Sequence, residues 1–104
     1  MSVKIIIQRK FKAAPVPENF QVINKLRRGA IHQEGYVTGE TLVNFEDNYV
    51  VVLSTWASFT DWERWSCSPE RAELENELTP HLKEPLKIKL YITAADYRKE
   101  VLKG

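Results

Sequence analysis

One cysteine, Cys67, and two histidines, His32 and His81, in 104 residues leave little for disulfide or metal chemistry. A lone thiol forms no intramolecular disulfide and furnishes no cysteine-based zinc site, and such cysteine poverty suits a reducing cytosol. Two histidines without a spacing pattern do not make a metal centre. The chain has four glycines, and none belongs to a phosphate-cradling loop, so no nucleotide-cofactor motif is present. Net charge is scarce as well. Lys and Arg number 15 against 14 Asp and Glu, a formal balance of +1, which gives no broad field for nucleic acid or an anionic membrane. Long apolar runs are missing: residues 3–7 are far too few for a signal-peptide core or a membrane span, and Arg9, Lys10 and Lys12 follow directly. Repeats, linkers and low-complexity segments are also missing, so residues 1–104 read as a single domain, with a core over about residues 3–92.

What is present is a sequence of short, well-punctuated elements. Residues 3–11 read as a strand that Pro15 and Pro17 end, leading into a helix from about Glu18. Phe20, Ile23, Leu26 and Ala30 form one apolar stripe at spacings of three and four. The pattern stops near His32, and Gly35-Tyr36 opens a Thr-, Val- and aromatic-rich strand over residues 36–45. Glu46-Asp47-Asn48 is a turn, and residues 49–53 are an apolar run that suits a strand covered on both faces, ending at Trp56. Ser58 with Asp61 predicts a helix start, and Ser68-Pro69-Glu70 predicts a second one just beyond it. Residues 86–92 alternate strictly, predicting a strand with Leu86, Ile88, Leu90 and Ile92 on one face. Residues 94–104 read as a short helix or a fraying tail, with Tyr97 and Val101 as a weak apolar edge.

The order β-α-β-β-α-β is that of a ferredoxin-like α+β fold, here with a broken second helix. Helices cover one sheet face. The doubly apolar run at residues 49–53 implies that something, such as a second copy of the chain, covers the other.

Gly35-Tyr36-Val37-Thr38-Gly39-Glu40-Thr41-Leu42, then Val51-Val52-Leu53-Ser54-Thr55-Trp56, then Ser68-Pro69-Glu70-Arg71-Ala72-Glu73-Leu74 resemble the antibiotic biosynthesis monooxygenase family over roughly residues 3–92. The resemblance implies a homodimeric α/β barrel, two sheets packed face to face, with a pocket between sheet and helices in each subunit. It implies one of several activities, among them oxygenation of phenols and quinols without metal or organic cofactor. The heme-degrading branch is similar around Phe59-Thr60-Asp61-Trp62. Its strand Asn, helix Trp and axial His fall on Gln8, Trp65 and Glu75, so only the Trp is kept. Carboxylate in place of the imidazole disfavours heme.

Three residues are the candidates for catalysis: Trp65 to stack on a flat substrate, Gln8 to meet its oxygen, and Glu75, if buried, to take a phenolic proton. Trp62, Trp65 and His81 are the candidates for substrate binding. Each has a plainer reading. Both tryptophans can be core, Gln8 a surface strand residue, Glu75 part of the acidic face with Glu70, Glu73 and Glu77, and His81 a solvated loop residue. His32 suits a helix C-terminus, and Cys67 suits a helix break. Alternation puts Ile5, Ile7 and Arg9 on one face of the first strand and Lys4, Ile6 and Gln8 on the other, without saying which lines the pocket. The expected protein is a cytoplasmic homodimer that binds a small planar aromatic and uses no cofactor, no nucleic acid and no membrane. The competing expectation is a non-catalytic dimeric ligand-binding or interaction domain of the same fold.

Overall fold

The two faces of the sheet are set by the period-two alternation of β1, Val3–Lys10, in a computed structural model that describes residues 1–102. Val3, Ile5, Ile7 and Arg9 are buried on the helix side, while Lys4, Ile6, Gln8 and Lys10 take the open side. The helix α1, Pro17–Ile31, follows, with its first turn satisfied by Asn19, whose Oδ1 accepts from the Val16 amide at 2.9 Å. Ile23, Leu26 and Ala30 of the predicted stripe are buried. His32 caps the helix at its C-terminus.

A hairpin comes next, β2, Tyr36–Asn44, with β3, Tyr49–Trp56, and Asn48 in its turn takes a left-handed φ of 58°. β2 stops one residue short of Phe45, which lies in the turn and is 85% exposed. The second helix is split as expected into α2, Phe59–Ser66, and α3, Pro69–Leu78. Ser58 Oγ accepts from the Asp61 amide and donates to its carboxylate, and Ser68 Oγ accepts from the Arg71 amide. A 3-10 turn, Thr79–His81, leads to β4, Lys87–Tyr91, and then α4, Ala94–Leu102.

The strands form one antiparallel sheet in the order β2-β3-β1-β4, which together with the element order makes a ferredoxin-like α+β domain. Trp56, Ile5 and Val50 are fully buried beneath the helices. β4 departs from expectation. None of its five residues is buried, because it is an edge strand and the helices pack over β2 and β3; only the flanking Leu86 and Ile92 reach the core. The α4 helix forms, with Tyr97 and Val101 exposed. On the open face Ile6, Val51 and Leu53 are half-buried. Ile6 and Leu53, with Lys4, Thr38, Glu40, Thr55 and Tyr91, line a trough whose hollow measures about 580 Å³. Among the described residues no helix is long and apolar enough to cross a membrane.

Candidate functional site

Between the sheet and the helices lies a cleft walled by aromatic rings and floored by charge. Trp56 ends β3 on the helix side, and the bulge between Tyr36 and Thr38 lets the Tyr36 ring meet it edge-on, with centroids 5.4 Å apart and planes at 89°. Tyr36 reaches this place because Gly39 has no side chain: a Cβ there would lie 2.5 Å from the tyrosine hydroxyl. The Gly39 carbonyl accepts from Arg27 of α1 at 2.8 Å, which ties the bulge to that helix.

α2 adds Trp62 and Trp65, both buried at helical spacing. Trp62 packs on Trp56 at 5.8 Å, and the Arg71 guanidinium stands 5.5 Å from the Trp62 ring. Trp65 lies against α1 at Gly29, where a Cβ would fall 2.5 Å from its Cη2. The start of α2 is fixed by Gly35, whose φ of 87° and close approach to Asp61 leave no room for a side chain.

Beneath these rings sits a buried trio. Arg9 is 2% exposed and pairs with Glu75 Oε1; Arg71 reaches Glu75 Oε2 at 3.4 Å and donates to the Ser66 carbonyl at 3.2 Å. Both carboxylate oxygens are thus engaged by guanidiniums, and two cations share one anion. Burial pushes Arg71 below the usual guanidinium range; Glu75 opposes that shift and the neighbouring Arg9 adds to it. The Arg9 Nε–H is buried without an acceptor. The cavity that remains between Arg9, Arg71, Tyr36, Trp62 and Trp65 measures about 40 Å³.

The candidate residues therefore separate. Trp62, Trp65 and, through its ion pairs, Glu75 meet at the cleft. Gln8 does not converge with them: it sits on the open face, opposite Val51 of β3 and Lys87 of β4, because strand alternation gives the cleft to Arg9 instead. His81 is also elsewhere, exposed on the 3-10 turn beside a shallow depression with Phe11, Lys12 and Pro80. His32 and Cys67 are exposed at helix ends. Among the described residues no three His, Cys, Asp or Glu side chains are grouped to hold a metal ion. Sequence reasoning missed Arg9 and Arg71 as site residues. The signals were there in Arg9 falling in phase with Ile5 and Ile7, and in the i,i+4 spacing of Arg71 and Glu75.

A four-stranded antiparallel sheet of this topology, with a split helix over an aromatic cleft, defines a ferredoxin-like α+β class of fold. No family model and no curated protein matches the sequence. Solved structures do match. SnoaB, a cofactor-independent oxygenase from Streptomyces nogalater, superposes with a TM-score of 0.78 at 18% identity, over 88% of this chain and 92% of that one. An antibiotic biosynthesis monooxygenase gives 0.76 at 14% identity over 88% and 98%. A conserved protein from Methanosarcina mazei gives 0.79 at 16% over 88% and 91%. The chain thus has the ferredoxin-like fold of the antibiotic biosynthesis monooxygenases; at these identities the likeness is one of fold.

Proposed function

We propose that the chain is a cofactor-independent oxygenase of the antibiotic biosynthesis monooxygenase type, acting on a small planar phenol or quinol in the cleft between sheet and helices. The observation that carries this reading is the trio of buried Arg9 and Arg71 with half-buried Glu75 beneath Trp62 and Trp65, charged groups at a cleft walled mainly by apolar side chains. The trio lies between sheet and helices, and SnoaB, of the same fold, is a cofactor-independent oxygenase; both support the reading.

Without a cofactor the substrate must supply the electrons. A phenolate or enolate passes one electron to dioxygen, the resulting superoxide and substrate radical combine into a peroxide anion, which takes back the proton that the substrate lost on ionising, and loss of water from that hydroperoxide, at a carbon that bears a hydrogen, leaves a carbonyl. The protein needs to hold the ring flat, which is the role proposed for Trp65, and to stabilise the anion. In this proposal the protein works as a homodimer, with a second copy closing the open face over Val51 and Leu53 to complete the barrel, in the cytoplasm and without nucleic acid or membrane. Heme has no support at the helix pair, where the expected ligand position is Glu75, already paired with two arginines, and where His81 does not reach the cleft.

One observation favours the second reading, a non-catalytic ligand-binding domain. The cavity of about 40 Å³ is well below the roughly 150 Å³ that accommodates a benzene ring, so an aromatic substrate requires the cleft to open. The experiment that separates the two readings is oxygen uptake by metal-stripped protein with catechols, naphthols and anthrone-type quinols. Saturable uptake that falls in Trp65→Phe supports the oxygenase, and uptake at the uncatalysed rate supports the binding domain.

A further inference from the structure

The trio beneath the tryptophans has one charge too many. Arg9 and Arg71 are both buried, Glu75 is the carboxylate that pairs with them, and Glu40 at the cleft's rim is exposed. A buried cation without its own counter-charge is costly, and a buried N–H without an acceptor adds to that cost. Both are present: the cluster carries a net positive charge, and the Arg9 Nε–H has no partner. The cavity beside them exceeds the roughly 10–15 Å³ that one water needs and, at about 40 Å³, suits a group of two or three heavy atoms.

From this geometry we infer that the cleft is an anion site, in which Arg9 and Arg71 receive the anionic oxygen of the ligand, a carboxylate or a phenolate, the ring attached to it entering only as the cleft opens. This deepens the reading of the cleft as the ligand site, on which it rests, and it reverses the role expected for Glu75. With both oxygens held by guanidiniums, Glu75 is a resident competitor for the anion site and not a base that takes a proton. Arg9 and Arg71 then select substrates that are already ionised or whose ionisation the two guanidiniums favour.

The competitor role gives a sign that a structural role does not. Benzoate and its neutral analogue benzamide are the probes, titrated into the intact protein at low salt, with arginine Nε–H and indole N–H resonances followed by NMR. Benzoate is expected to bind saturably and to shift an arginine Nε–H resonance, with benzamide at least about tenfold weaker. Glu75→Gln, which removes a like charge beside the ligand, is expected to tighten benzoate by about tenfold or more, and Arg71→Met to loosen it. Should Arg71→Met fail to fold, the benzoate–benzamide comparison and Glu75→Gln still decide. Equal binding of the two probes, absence of binding, or benzoate weakened by Glu75→Gln overturns the inference. Oxygen uptake without charge selection would remove this inference and leave the oxygenase standing; charge-selective binding without uptake would do the opposite.

Discussion

Replacing Gly29 by alanine puts a methyl group against the wall of the cleft. Its Cβ would lie 2.5 Å from Trp65 Cη2, 3.3 Å from Cζ2 and 3.0 Å from Glu70 Oε1. Glu70 is exposed and can turn away, but Trp65 is 3% exposed and has nowhere to move without displacing α2 from α1. Overpacking of this kind costs about 1–3 kcal/mol, and the better helix propensity of alanine returns about 1 kcal/mol. Gly29→Ala should therefore destabilise the fold by roughly 1 kcal/mol, the middle of a net range of about 0–2 kcal/mol. In Trp65→Phe the six-membered part of the indole is gone, and with it the clashing atoms. The same Gly29→Ala substitution should then become stabilising by up to about 1 kcal/mol. Urea unfolding of the four proteins by circular dichroism measures both values. A Gly29→Ala effect of the same sign and size in the two backgrounds would refute the placement of Trp65 on α1.

Other expectations follow from the same geometry. Gly35→Ala, at a φ of 87° and with its Cβ 2.2 Å from the Asp61 carboxylate, should lower stability by about 2 kcal/mol or more by urea unfolding; no loss would show that α2 starts elsewhere. Ser58→Ala removes the cap of α2 and should cost about 0.5–2 kcal/mol, with Trp62 and Trp65 fluorescence shifting to the red as the helix frays. Glu75→Met leaves the guanidiniums of Arg9 and Arg71 without their shared carboxylate and should destabilise by about 3 kcal/mol or more, whereas Arg9→Met leaves a balanced Arg71–Glu75 pair and should cost less in a thermal-melt comparison; the reverse order would refute the surplus of positive charge. Val51→Asp, on the open face, should convert a dimer to monomer in sedimentation without unfolding it, whereas Val52→Asp, on the helix face, should unfold the chain; a Val51→Asp dimer counts against the barrel.

The framework of the fold was legible because local signals agreed with one another. Ser58 with Asp61 and Ser68 before Pro69 marked both halves of the split helix, and both serines cap where expected. Alternation along β1 gave its two faces correctly but could not say which the helices cover; that depends on packing of α1 and α2, a long-range matter. The same limit explains β4. Its alternation implied a buried face, yet its place at the edge of the sheet leaves Ile88 and Leu90 over 40% exposed. The site was half legible. Trp62 and Trp65 stood out as aromatic and Glu75 as a possible inward carboxylate, whereas Arg9 read only as a strand residue in phase with Ile5 and Ile7, on a face not assigned to the pocket. What makes Arg9 part of the site is the pairing of β1 beneath α3, which joins residues 66 positions apart.

In the proposed reading the helix-face cleft turns over an oxygen-bearing aromatic with dioxygen alone. The most direct test of that reading is oxygen consumption by metal-stripped protein with an anthrone-type quinol, comparing the unaltered chain with Trp65→Phe and Arg71→Met. Saturable uptake is expected, reduced in both variants while their circular dichroism stays native. Uptake that is no faster than the uncatalysed reaction, or that is indifferent to both substitutions, would contradict it.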